Sequence, residues 1–212
     1  MDTRQLQHPL FARVYLVISR AVERNGAGEY RRRLTAGLGG RVIEIGAGHG
    51  VNFPYYPSTV RDVLAVEPDD VLRARARDMV RSAPVPVSVV AGHADALPVE
   101  DGTCDAAVAS LMLCSVPDLD HAVAELYRAL RPGGELRFFE HVRSSRRWAA
   151  ALQDAVTPLF TACAGGCHPN RDTLAAIRRG GFTVLDVDRF AFAHGRGTPP
   201  MAHVLGVARK PS

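Results

Sequence analysis

"RVIEIGAGHGVNF", Arg41 to Phe53, decides the fold. An apolar strand-like run (RVIEI) meets three alternating glycines, Gly46, Gly48 and Gly50, and then a helix-compatible stretch. Without a Cβ, glycine lets the chain turn tightly and lets a ligand approach the backbone. A dinucleotide turn reads G-x-G-x-x-G; here the third glycine arrives one residue early and Val51 holds the expected place. A P-loop needs G-K-[ST], and no lysine follows. Glu44 lies inside the strand, two residues before the first glycine. A carboxylate there repels pyrophosphate and suits an ammonium. The turn therefore points to a nucleoside-like ligand without phosphates.

The surrounding chain alternates. Strand-like runs fall at 41–45, 62–66, 86–90, 104–111, 135–141, 182–189 and 202–209. Helical runs fall at 50–57 in part, 69–82, 118–130, 145–162 and 171–179, after two earlier helical stretches at 8–24 and 29–38. Such alternation predicts a mostly parallel sheet with helices on both faces. The last two strands, joined by a Gly/Pro loop at 195–200, are expected to pair antiparallel at one edge. Residues 1–40 read as a helical cap and 41–212 as the α/β domain. Ligands in such sheets sit beyond the carboxyl ends of the strands.

Those ends carry acids. Glu67 closes "VLAVEPDD" about twenty residues past the glycines, where a carboxylate accepts from both ribose hydroxyls. Asp95 follows the third strand, placed for an exocyclic amine. Asp101–Gly102 makes a turn, and Asp105 reads as a structural cap. Ser110–Cys114 close the fourth strand, and "ALRPGGELRFFEH" gives helix end, turn and fifth strand.

In this order the motifs of residues 40–142 resemble a class I S-adenosylmethionine-dependent methyltransferase. The resemblance implies a Rossmann-like, doubly wound seven-stranded sheet with an antiparallel last strand, and S-adenosylmethionine as methyl donor, leaving as S-adenosylhomocysteine. It implies that Glu44, Gly46, Gly48 and Gly50 surround the donor's methionine part, with Ala47, Asn52, Leu111 and Cys114 alongside. Glu67 and Pro68 would meet the ribose, and Ala94 and Asp95 the adenine. "GHGVNFPYYP", "LMLCSVPD", "FFEHVR", "GGCHPNRDTLAAIRRGGF" and "HVLGVARK" are further similar to the methyltransferase-like alkyl thiol S-methyltransferases. That likeness implies a small lipophilic acceptor, a thiol first, with a quinol, a phenol or a phospholipid amine as alternatives. A donor-binding module without turnover stands as a different class of reading.

A thiol is a few per cent thiolate near neutrality, so positioning beside a positive group suffices for it; a phenol wants a base. His141, after Glu140 at a strand's carboxyl end, and His168, in "AGGCHPN", are the candidate bases. Asn170 reads as a helix N-cap with Asp172 in the first turn. Cys167 reads as structural or as lining the acceptor pocket. His8, His93, His121, His194 and His203 show no local partner pattern and read as surface or packing residues.

Composition excludes other classes. The 212 residues are 47% hydrophobic and 23% charged, as in ordinary globular chains. The net charge of +4 is scattered and almost all arginine, with Lys210 the only lysine, so no nucleic-acid patch is expected. Four cysteines without a disulfide framework or a leader suggest a reducing cytoplasm. Cys163 and Cys167 are spaced C-x3-C with no second ligand pair, so no metal is expected. No run of about 18 apolar residues crosses a bilayer. The amphipathic segment 8–24 packs on the body or lies on a membrane surface. Trp148, Leu152, Val156, Leu159 and Phe160 form a helical stripe that is either core or the roof of the acceptor pocket. Phe11, Tyr15, Phe53, Tyr55 and Tyr56 would add an apolar entrance.

Overall fold

The computed structural model describes residues 7, 9–195 and 197–212, with side chains in the first helix from Ala12 onward. His8, and the side chains of Leu10 and Phe11, lie outside the described residues.

Seven strands form one sheet: β1 (Gly40–Ile45), β2 (Val60–Val66), β3 (Val87–Val90), β4 (Cys104–Ser110), β5 (Leu130–His141), β6 (Thr183–Phe192) and β7 (Met201–Arg209). Their order is β3-β2-β1-β4-β5-β7-β6. The first five are parallel; β7 enters antiparallel between β5 and β6. Six α-helices accompany them: α1 (Pro9–Val22), α2 (Gly28–Thr35), α3 (Asp70–Met79), α4 (Leu119–Ala129), α5 (Arg147–Cys163) and α6 (Thr173–Arg179).

Strand alternation splits the core in two. Ile43, Ile45 and Phe138 pack with Leu126 of α4 and Ile177 of α6. Val42, Val63 and Phe139 pack on the other face with Leu34 of α2 and Ala76 of α3. Tyr30 of α2 stacks flat on Phe190 at 4.3 Å between centroids and on Phe139 at 5.6 Å. Such pairs contribute about 0.5–1.5 kcal/mol beyond area burial. They fix α2 on the sheet, and with it Arg31.

Three local expectations give way. The helix expected at 50–57 is only a 3₁₀ turn, Phe53–Tyr55. Gly48 and Gly50 take φ of 57° and 83°, and Pro54 and Pro57 have no N–H to donate, so no α-helix propagates. Asn170 does not cap α6. Asp172 does, accepting from Ala175 N, while Asn170 donates to Asp154. The α5 stripe divides: Trp148, Leu152 and Leu159 are 69%, 58% and 67% exposed, whereas Phe160 lines a cavity, as the roof alternative expects.

Candidate active site

A cavity of about 760 Å³ opens beyond the carboxyl ends of β1, β2 and β4. It lies where the strand order reverses, between β1 and β4, the place this sheet class reserves for ligands. Volumes of about 300–1,000 Å³ suit small-molecule sites, and this one lies in the upper half. Gly46, Gly48, Glu67, Pro68, Ala94, Asp95, Leu111 and Cys114 line it, as does His141. Sites read separately along the chain thus converge on one cavity.

The glycine turn is built to be bare. Gly46 has φ of 59°, and a Cβ there would stand 2.1 Å from Met112 Cγ. Gly48, at φ of 57°, donates its N–H to Glu67 Oε2 at 2.7 Å, and Glu67 Oε1 accepts from Asp69 N at 3.0 Å. One carboxylate therefore joins the turn after β1 to the end of β2. Burial pushes it up to about 7, against the pull of those two N–H donors.

Glu44 stands elsewhere than expected. Its oxygens accept from Asn52 Nδ2 and Tyr56 Oη, both at 2.7 Å, and it is buried and not among the residues that line the cavity. Burial raises it to about 7. Ala47, Gly50 and Asn52 likewise do not line the cavity. Asn52 in turn accepts from Arg31 Nη1 at 2.8 Å. Arg31, 3% exposed, is the lysine or arginine of the cavity lining among the described residues, and its Nε is held by Glu23 at 2.7 Å. The sequence offered no signal for it, since it is one of three arginines in a row. Phe53 and Tyr56 are buried in the core, which leaves Tyr15 as the aromatic of the expected entrance that lines the cavity.

The loop after β4 is held by Glu140, wholly buried. It accepts from Met112 N, Leu113 N and Cys114 N at 3.0, 2.9 and 3.1 Å. Leu111, the non-glycine residue with positive φ (55°) among those described, begins this loop. Backbone strain of this kind collects at functional sites. Cys114 Sγ and Cys167 Sγ lie 3.7 Å apart, and His141 Nδ1 is 3.4 Å from the first and 3.5 Å from the second. The shared sulfur contact lowers Cys167 and, with burial, raises Cys114 well above the usual thiol range. Burial drives His141 well below the ordinary histidine range, so its ring is neutral.

His168 is elsewhere: its Nδ1 contacts Gly166 O at 2.7 Å and its N–H donates to Cys114 O, outside the cavity lining. His194 and His203, read as packing residues, instead meet His141. His203 is its cross-strand partner on β7, and His194 Nε2 lies 3.4 Å from His141 Nε2 and 3.1 Å from His203 Nε2. Only the β5–β7 register reveals this.

Donor chemistry fits the lining. Bare glycine backbone, a buried carboxylate at the end of β2 and, among the described residues, a single arginine and no lysine in the lining suit a sulfonium nucleoside. The sheet order and the placement of this cavity define the class I methyltransferase architecture. The methyltransferase domain family Methyltransf_11 matches residues 43–138. Human thiol S-methyltransferase TMT1B is 31% identical over 186 residues, 82% of this chain and 73% of that protein. Human thiol S-methyltransferase TMT1A is 32% identical over 158 residues, 71% of this chain, which thus spans 64% of that relative's length. A solved S-adenosylmethionine-dependent methyltransferase of Thermotoga maritima shares the fold, with a TM-score of 0.70 over 95% of this chain and 98% of that one at 21% identity. The chain belongs to the S-adenosylmethionine-dependent methyltransferases, the family that includes these thiol enzymes. Among the described residues, no helix is long and apolar enough to cross a membrane.

Proposed function

We propose that this methyltransferase moves the donor's methyl group to the sulfur of a small lipophilic thiol. The observation that carries the reading is that Cys114, His141 and Cys167 converge within hydrogen-bond distance of one another in the lining of the cavity that Glu67 also lines. S-adenosylmethionine supplies an activated methyl on a cationic sulfur. Glu67 takes the ribose hydroxyls, Ala94 and Asp95 the adenine edge, and Arg31 the amino-acid carboxylate. Glu44 acts behind them, holding Asn52 and through it Arg31. Ile18, Val22, Leu72, Val116 and Phe160 give the remaining wall an apolar character that excludes water. Alignment of acceptor and methyl in such a site can supply as much as about 7–11 kcal/mol of the barrier reduction. His141 is the side chain at which the acceptor meets the sulfur corner, and residues 1–40 serve as the cap, through Tyr15, Ser19 and Arg31.

The test is methyl transfer from labelled donor to alkyl thiols, phenols, a quinol and phosphatidylethanolamine. Thiols are expected to turn over with kcat/KM at least about tenfold above the others, a difference of about 1.4 kcal/mol. Turnover of quinol or phospholipid amine with every thiol silent ends the reading.

We also propose a cytoplasmic location with peripheral membrane contact through residues 8–24. Val14, Val17 and Ile18 of α1 are 48%, 66% and 47% exposed, beside a cavity that lipophilic acceptors must reach. Val17→Asp is expected to weaken co-sedimentation with anionic vesicles about tenfold, from roughly 1.5 kcal/mol of lost side-chain burial. Equal sedimentation of the variant and the wild type would remove α1 from the membrane.

A further inference from the structure

The sulfur corner has the dimensions of a metal site. Around a tetrahedral zinc, with about 2.3 Å to sulfur and about 2.0–2.1 Å to nitrogen, ligand atoms lie about 3.5–3.8 Å from one another. Here the three edges are 3.7 Å (Cys114 Sγ to Cys167 Sγ), 3.4 Å (Cys114 Sγ to His141 Nδ1) and 3.5 Å (Cys167 Sγ to His141 Nδ1). All three residues are buried, and all three line the cavity. The elements that carry them are rigid: Cys114 hangs from Glu140, His141 ends β5, and Cys167 is tied through His168 N to Cys114 O at 2.8 Å. We propose that Cys114, His141 and Cys167 bind a zinc ion whose fourth position faces the cavity and takes the sulfur of the acceptor thiol.

This rests on the thiol reading above and explains its specificity. Zinc needs thiolates and a neutral imidazole, so its binding releases the two cysteine protons. The guanidinium of Arg171 donates to Leu113 O and Val116 O, the carbonyls on either side of Cys114, and so adds a positive group to the loop that carries this thiol. An acceptor thiol that takes the fourth position gives its proton to solvent and stays a thiolate. As its sulfur forms the new S–CH3 bond, the donor's sulfonium S–CH3 bond breaks. The neutral thioether is the poorer ligand and leaves. A soft sulfur donor suits this S₂N set; a phospholipid amine, protonated near neutrality, does not.

His141 Nε2, with His194 and His203, offers a second possible nitrogen set. The sulfur set is favoured because its edges match a tetrahedron and because His203 lies outside the cavity lining. The pairing of Cys163 with Cys167 that the sequence suggests is not the site, since Cys163 is exposed on α5.

The full chain, purified without chelator and exchanged into metal-free buffer, is expected to hold about one zinc. Cys114→Ser and Cys167→Ser should each weaken zinc binding at least about tenfold, while Cys163→Ser, the exposed control, keeps it. Folding of each variant is checked by circular dichroism. Cobalt(II) replacement should give a sulfur-to-cobalt charge-transfer band in the near ultraviolet, and an alkyl thiol should shift the visible cobalt bands. Each of the following overturns the proposal: no bound metal with four titratable thiols, a Cys114–Cys167 disulfide in its place, or cobalt bound without the sulfur band, which marks the histidine set. Metal bound at the cysteines but spectrally blind to thiols overturns the acceptor role. Thiols methylated by a metal-free enzyme overturn the site and leave the thiol reading intact.

Discussion

Glu67→Ala is expected to raise the dissociation constant for S-adenosylmethionine and for S-adenosylhomocysteine about 10- to 100-fold. Hydrogen bonds to charged groups contribute about 1.5–3 kcal/mol, which is that range of affinity. The loss has two parts. The ribose hydroxyls lose their acceptor, and the N–H groups of Gly48 and Asp69 lose the carboxylate that now joins them. The glycine turn is thereby freed from the end of β2, so the donor meets a less ordered wall. Glu67→Gln keeps one carbonyl oxygen and is expected to fall between. The pH dependence gives a separate check. Burial raises Glu67 to about 7, so the ionised form that accepts most strongly is lost as pH falls through that value. Donor affinity in the wild type should weaken from pH 8 to pH 6, and the weakening should be smaller in Glu67→Gln. Calorimetry that finds Glu67→Ala within about twofold of wild type removes the ribose from this carboxylate.

Glu140→Ala is expected to cost stability rather than donor affinity alone. The carboxylate is wholly buried and serves three consecutive backbone N–H groups, of Met112, Leu113 and Cys114. Each buried donor left unsatisfied costs about 1–3 kcal/mol, and the three share one group and one loop, so their costs do not simply add. About 3–5 kcal/mol is expected, which for a chain of this size lowers Tm by about 6–20 °C. Below the melting range the variant should also transfer methyl more slowly, because the loop that carries Cys114 and Leu111 loses its anchor. A variant that melts within about 2 °C of wild type means that water or another group already serves those N–H groups.

Most strands were legible to within about three residues, but β5 begins at Leu130 rather than 135, because the Pro-Gly-Gly stretch read as a turn lies inside the strand. Runs such as 41–45 and 104–111 combine β-branched and apolar residues between turn signals, and local propensity is enough to place them at Gly40–Ile45 and Cys104–Ser110. The mostly parallel sheet followed from the alternation, and the proposed donor side of the cavity from Gly46, Gly48 and Glu67, whose spacing along the chain is itself the motif. Helical reading failed at 50–57, where glycines at positive φ override an otherwise compatible stretch. It also failed for Trp148, Leu152 and Leu159: periodicity marks an amphipathic face but does not say that anything covers it.

Local order along the chain therefore determined the sheet, the class of ligand and the carboxylate proposed for its sugar, because neighbouring residues in a βα turn are neighbours in space. Tertiary structure alone decided the other end. Glu140 meets the loop at Met112–Cys114 only because β5 lies beside β4, and His203 faces His141 only because β7 inserts antiparallel next to β5. Cys167 reaches Cys114 across 53 positions of sequence. Contacts of that range leave no period and no spacing to read; they exist only once strand order and register bring the pieces together.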